Sequence, residues 1–437
     1  MFENNKRACY DFFMHHTKIT LENGMRAITV PMKDTKSLTL LALFGTGSRF
    51  ETKKTNGVSH FLEHLFFKGT KSRPRPGDIS QALDDVGAEH NAFTAKEYTG
   101  YWVKAASHHF PLALDIVSDI LLEPLFKEEE IEKERGVIFQ EMNMYLDTPR
   151  RYVHDIFESL LYGDEPLGWE IIGTSGSLQG LSRENILTYR KSQYIGSNAV
   201  LVVAGAFQEE DALRRVEQAF VRLPSGTAKS CPPFRESKKR LSPVRLEYKK
   251  TDQTHLMVGA RGFGMFDDRR YAATLLATAL GGKTSSRLFQ EIREKRGLAY
   301  TVSAITEQFL DTGYFSVYAG VPHQKTKEVV RRIRDEFHNV CTTGITLREL
   351  QQAKDFWRGQ FAISLESSDE IASFYGSHEL FYKEVISPDE IMEKIERVSQ
   401  KEVNEAAEGI FQQHPLHLAV IGPHHESAAY EELLIVL

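Results

Sequence analysis

Two histidines four positions apart, with an acid directly before the second, make His60-Phe61-Leu62-Glu63-His64 the stretch of this sequence best suited to chemistry. On a helix, residues four apart share one face about 6 Å from each other, so the two imidazoles would converge on one ion while Glu63 aims a carboxylate at the same space. The order H-x-x-E-H is the reverse of the H-E-x-x-H arrangement that binds zinc. A catalytic zinc also needs a third protein ligand and an open position for water, and two histidines with a glutamate form such a set. The stretch from Glu128 to Tyr145 offers candidates. Its helical pattern makes Ile131, Val137, Ile138 and Met142 the apolar positions and sets Glu134 and Glu141 two turns apart on one face. Most acids there read as solvated surface, but Glu141 follows an apolar run and is expected to face inward.

The elements that would hold these groups come twice. Strand-like text fills Ile19 to Pro31, with a Glu22-Asn23-Gly24 turn, and Ser37 to Gly45; it returns at Val244 to Gly262, each time followed by a helical segment. Between the halves, Pro224 to Pro243 holds four of the 15 prolines and reads as a linker. Shared text supports a duplication: Thr99-Gly100-Tyr101 returns as Thr312-Gly313-Tyr314, Gly69 falls on Gly282 at the same shift, and the apolar run ending at Gly205 has a counterpart ending at Gly422. The expected organisation is therefore a domain at 1–223 carrying the metal site, a linker at 224–243, and a homologous domain at 244–437 without one. At the shift of the Thr-Gly-Tyr text, Ala273, Leu276 and Ala277 stand opposite His60, Glu63 and His64, none of them a ligand. The fold class expected is α+β, each domain a mostly antiparallel sheet flanked by helices.

Composition sets the limits. A chain of 437 residues with 41% apolar and 26% charged residues can bury two cores, and a net charge of -6 offers no field to hold nucleic acid. No apolar run approaches the 18 or more residues of a membrane span, and the opening MFENNKRACYDFFMHH lacks the core of a signal peptide. Three widely spaced cysteines, Cys9, Cys231 and Cys341, form no CxxC pair. A reducing cytoplasm, that of a bacterium first, is the expected compartment, with a processed organellar protein as the alternative.

These motifs, read together, resemble the M16 (pitrilysin or insulinase-like) zinc peptidases: H-x-x-E-H, then Glu141 after 76 intervening residues, with Glu134 seven positions earlier in an E-R-G-V-I context. The two-domain length resembles the subfamily of mitochondrial processing peptidase, and the likeness runs from LENGMRAITVP through HFLEHLFFKGT and NAFTAKEYTGYW to LAVIGP. The resemblance implies one Zn2+ per chain on His60, His64 and Glu141, with Glu63 as catalytic base and Glu134 supporting the site from behind. It implies that Asn91 and Ala92 lie on an edge strand to which an extended peptide adds, a mode that relies on main-chain hydrogen bonds. Arg293 and Tyr300 resemble the family's Arg/Tyr pair that contacts the substrate and its tetrahedral intermediate.

In longer relatives that pair comes from the half corresponding to a partner chain here. The resemblance thus implies a homodimer enclosing unfolded or short peptides in a chamber, with Arg293 and Tyr300 acting in trans; a heterodimer with an inactive paralogue is the alternative. Gly281-Gly282 is too short for the glycine-rich loop of the processing peptidase's regulatory subunit, which argues against presequence-specific processing. A noncatalytic scaffold like the core proteins of respiratory complex III would share the fold but has no need of the complete His60, Glu63, His64 and Glu141 set.

Overall fold

The apolar run that ends Ser37–Phe44 and the one in Ala199–Gly205 lack the alternation of a half-exposed sheet because both faces of those strands are buried. They are the centre of a sheet in a computed structural model that describes residues 14–236 and 242–435. Six strands, β1 (Thr17–Thr20), β2 (Arg26–Pro31), β3 (Ser37–Phe44), β4 (Glu89–Thr94), β5 (Thr99–Ala106) and β6 (Ala199–Gly205), lie in the order β1-β2-β6-β3-β5-β4. Five more, β7 (Val244–Tyr248), β8 (Thr254–Gly262), β9 (Thr301–Gln308), β10 (Gly313–Val321) and β11 (His417–Gly422), lie in the order β7-β11-β8-β10-β9.

Leaving out β1, the two orders are the same, and each sheet is antiparallel except for one pair, β2 with β6 and β7 with β11. In those pairs Ala27 sits opposite Leu201 and Val244 opposite Leu418, and all four face the helices of their own half. The α+β fold of two homologous domains is thus present. One detail of the sequence reading is corrected. Tyr101 packs under the helices of its own half, whereas Tyr314 points to the opposite side of its sheet, so the repeated Thr-Gly-Tyr text does not mark equivalent positions. The match of Gly205 with Gly422 stands, since each closes the strand beside the parallel partner. The second half's helix Arg269–Gly281 contains no histidine or carboxylate in any register, so the absence of ligands there does not depend on the mistaken shift.

The back of each sheet is covered by a helix from the other half. Ser368–Tyr382 lays Ile371, Ala372 and Tyr375 on Ile28, Val30, Leu43 and Val202 of the first sheet. Pro149–Tyr162 lays Val153, Phe157 and Leu161 on Met257, Tyr314, Ala419 and Ile421 of the second. The halves therefore exchange one helix each across the Pro224–Pro243 segment. That segment carries no helix or strand in 224–236, and 237–241 lie outside the described residues, as does Cys9. Its path is fixed by Arg49, whose Nη2 donates to the Pro232 carbonyl at 3.2 Å, and by the Phe234 N–H, which donates to Asp311 Oδ2 at 2.7 Å. Among the described residues no helix is long and apolar enough to cross a membrane.

Candidate metal centre

The helix Val58–Leu65 carries the H-x-x-E-H text and divides as its sequence pattern requires. Val58, Phe61, Leu62 and Leu65 enter the core of the first half, and His60, Glu63 and His64 occupy the other face. The helix begins at Gly57 with φ +95, and a Cβ there would lie 2.7 Å from the Ile172 carbonyl oxygen, so only glycine fits. Its first N–H groups are capped by Glu51: the carboxylate accepts from the Gly57 N–H at 2.7 Å, the Ser59 N–H at 2.8 Å and Asn56 Nδ2 at 3.0 Å.

A long helix, Glu128–Leu146, crosses this one and presents Glu134 and Glu141 from the face that also buries Ile131, Ile138 and Met142. Val137, read as an apolar position, instead points outward and is 49% exposed. Glu141 Oε2 lies 3.6 Å from His60 Nε2 and 3.3 Å from His64 Nε2. Glu134 accepts from His64 Nδ1 at 3.2 Å through one oxygen and pairs with Lys68 Nζ at 2.8 Å through the other. Glu63 Oε2 accepts from Thr94 Oγ1 at 2.7 Å. A cavity of about 190 Å³ opens in front, lined by His60, Glu63, Ala92, Thr94, Glu141 and Tyr145.

The charges are strongly perturbed. Burial, with the neighbouring His64 adding to it, holds the His60 imidazole down to about 4. His64 moves the other way, to about 9: burial would lower it, but Glu134 and Glu141 outweigh burial. For Glu141 burial is overcome by the pull of His64 and the Tyr145 hydroxyl, and its carboxyl falls to about 2. Burial raises Glu63 against the Thr94 hydrogen bond.

Three of these groups fit a divalent cation. Their ligand atoms all lie within 4.8 Å of one another. Glu141 Oε2 is buried without a hydrogen-bond partner although two imidazole nitrogens face it, the state of a donor whose natural neighbour is an ion. Tetrahedral zinc with bonds of about 2.0–2.2 Å separates its donors by about 3.3–3.5 Å. The spacings of Oε2 from the two Nε2 atoms match that separation. An imidazole ligates only when neutral, so binding would release the proton that Glu134 and Glu141 favour on His64.

Of the other sequence candidates, Ala92 lines the cavity, and Asn91 is exposed on β4, an edge strand that pairs only with β5. Asn91 Oδ1 accepts from the Ala92 N–H at 2.9 Å. Arg293 and Tyr300 are not brought to this group. They stack on each other, 5.1 Å from guanidinium carbon to ring centroid, beside a π-helical turn at Phe289–Glu294, and Tyr300 is 76% exposed. Sequence reasoning missed Glu51, Thr94, Lys68 and Tyr145. Tyr145 was readable, one turn beyond Glu141 on the same helix, and so was Lys68, four residues after His64. Glu51 left no recognised signal, since it sits six residues before Gly57, outside the positions from which a residue at a helix start caps it.

A duplicated α+β fold with two imidazoles and a carboxylate gathered in one copy alone has the layout of a metallopeptidase. The family model described as "Insulinase (Peptidase family M16)" matches residues 27–175, and that described as "Peptidase M16 inactive domain" matches residues 180–356. An uncharacterized zinc protease of Streptomyces coelicolor is 38% identical over 411 residues, 93% of this chain and 89% of its own. The uncharacterized zinc protease YmxG of Bacillus subtilis is 33% identical over 409 residues, 93% of this chain and 98% of its own. The chain belongs to the M16 family of peptidases. Among solved structures, a protease from Helicobacter pylori superposes with a TM-score of 0.85 at 22% identity, covering 94% of this chain and 100% of that one. A chain of complex III2 from Candida albicans superposes with a TM-score of 0.81 at 17% identity, covering 96% and 100%. These two likenesses speak for the fold alone.

Proposed function

We propose that the chain is a zinc-dependent endopeptidase or oligopeptidase acting on unfolded or short peptides, with His60, His64 and Glu141 as ligands and Glu63 as general base. The observation that carries this is the convergence of His60 Nε2, His64 Nε2 and Glu141 Oε2, a buried oxygen that accepts no hydrogen bond, beside the cavity. His60, His64 and Glu141 would hold a zinc ion there, which would supply an acidified water and polarise a peptide carbonyl. Glu134, accepting the Nδ1 proton of His64, keeps the His64 Nε2 lone pair directed at the ion. Glu63 Oε2, now held by Thr94, takes the proton of the attacking water and hands it to the leaving amine nitrogen. An extended peptide would add to the free edge of β4, where the Asn91 side chain can exchange the Ala92 N–H for the substrate backbone.

Arg293 and Tyr300 complete the proposal from a second chain. Arg293 has no closer acid than Glu294 at 3.8 Å among the described residues, and both side chains are open to solvent, which suits a pair that reaches a partner's site and stabilises the developing oxyanion there. A homodimer suffices, because each chain carries both parts; a heterodimer with an inactive paralogue would use the same surfaces. The mildly acidic chain with three scattered cysteines suits a bacterial cytoplasm.

The test is zinc analysis together with cleavage of an unstructured peptide by wild type and Glu63→Gln. Zinc in both proteins, with turnover lowered about 10²- to 10⁴-fold in the variant, supports the reading. Zinc in both and cleavage by neither would favour a scaffold role. Mixing Glu63→Gln with Tyr300→Phe chains should restore activity, and no recovery would refute the in-trans pair.

A further inference from the structure

Resting on the metallopeptidase reading above, we propose that Tyr145, braced by Arg151, is a positioning residue for Glu141 and makes it meet the ion through one oxygen only. Tyr145 lies one turn beyond Glu141 on Glu128–Leu146, and its phenol donates to Glu141 Oε1. The other oxygen, Oε2, is buried, has no hydrogen-bond partner, and is the atom that faces both imidazoles. A glutamate free to turn about its last torsion would offer either oxygen or both and would lose that freedom on binding. The phenol removes the choice beforehand by occupying Oε1 and leaving Oε2 aimed at the ion.

The ring is itself held. The guanidinium carbon of Arg151, an exposed residue on the next helix, Pro149–Tyr162, lies 3.5 Å from the Tyr145 ring centroid. Both residues line the same cavity as the ligands. The centre thus has two parallel braces, each a ligand, a neighbour that fixes it, and a cation that fixes the neighbour. His64 is held by Glu134 and Lys68; Glu141 is held by Tyr145 and Arg151. His60 has no such brace, since its Nδ1 is buried without a partner. The site's fixed geometry therefore depends on the two braces.

The experiment is a zinc competition titration against a chromophoric chelator on the full chain, paired with melting of the metal-free proteins. Tyr145→Phe keeps the ring and its contact with Arg151 and deletes only the hydroxyl. It is expected to raise the zinc dissociation constant about 10- to 100-fold at an unchanged metal-free melting temperature. Arg151→Ala should give a smaller loss, and Arg151→Lys should recover part of it. Zinc binding by Tyr145→Phe within about twofold of the wild type overturns the proposal, and so does a loss of affinity matched by an equal loss of metal-free stability. A wild type that binds no zinc sinks the metallopeptidase reading along with it. Tight binding by the wild type and Tyr145→Phe alike sinks the Tyr145 assignment alone.

Discussion

The helices Val58–Leu65 and Arg269–Gly281 hold the same station in the two halves: each follows a central strand, precedes the edge strand and packs on it, yet they share almost nothing else. The first is eight residues long, starts at a glycine only glycine can fill, and turns His60, Glu63 and His64 towards a cavity. The second is 13 residues long, carries no possible ligand, and buries Leu275, Leu276 and Leu280 completely. Its last residue, Gly281, lies so close to β9 that a Cβ would come within 2.5 Å of the Ala304 nitrogen. One copy of the fold keeps desolvated polar groups around a space; the other fills that space with side chains. The candidate metal group sits on one helix and its crossing partner in the first copy, while the second copy supplies packing, an exchanged helix and, in the proposed dimer, Arg293 and Tyr300.

The comparison breaks most simply at the metal. His60→Ala should reduce bound zinc from one per chain to none and peptide cleavage to background, measured by elemental analysis and peptide assay; two equivalents in the wild type with one left in the variant would mean that a second site also binds. The exchanged helices come next. Ser368–Tyr382 is tied to the first sheet by charge, with Glu379 fully buried between Lys18 at 2.7 Å and Arg26 at 3.2 Å, whereas Pro149–Tyr162 meets the second through aromatic contacts such as Phe157 on Tyr314. Glu379→Ala leaves two cations without their shared partner and should cost about 3–5 kcal/mol in urea unfolding. A loss below about 1 kcal/mol would show that apolar packing alone holds the helix. Leu276→Ala should cost about 2–5 kcal/mol, while His60→Ala in the metal-free protein should cost under about 1 kcal/mol or even stabilise, because it removes a buried nitrogen that has no partner. Equal costs would erase the distinction between a packed copy and a working one.

Much of this was legible before any coordinates. The i, i+4 histidines and the two glutamates seven apart lie where helical periodicity puts them, and the duplication showed in strand order and in the paired runs ending at Gly205 and Gly422. The Thr-Gly-Tyr repeat misled because a shift of one residue in a strand moves a side chain to the other face, and short text matches carry no information about faces. The exchanged helices were invisible for a different reason. Pro149–Tyr162 and Ser368–Tyr382 are amphipathic helices whose apolar faces fit any sheet, and nothing local says which half will receive them. Glu51 was missed on the same ground, since a cap supplied from a loop rather than from the residue at the helix start has no spacing rule.

That cap gives the smallest test of the contrast. Glu51 is 5% exposed and accepts three hydrogen bonds at the start of Val58–Leu65, whereas the start of Arg269–Gly281 has only Asp267, which accepts from the Arg269 N–H at 2.9 Å. Burial raises the Glu51 carboxyl from 4.5 to about 7, the hydrogen bonds from Ser59, Gly57 and Asn56 opposing it. The folded state then holds this proton more tightly than the unfolded chain. Between those two values it binds the larger share, so the stability contribution is fully present below about 4.5 and is lost as pH rises through about 7. Other buried acids, among them Asp155, also raised to about 7 by burial, slope the same way, so the wild-type profile alone cannot isolate Glu51. Subtracting Glu51→Gln can, because every other group is common to both proteins. The wild type's stability relative to Glu51→Gln should fall by on the order of 1–3 kcal/mol from pH 5 to pH 8 in urea titrations. Parallel profiles would mean that the three donors outweigh burial. The helix bearing the histidines would then be capped as firmly in alkali as in acid, and the two halves would differ in their ligands but not in how their helices respond to pH.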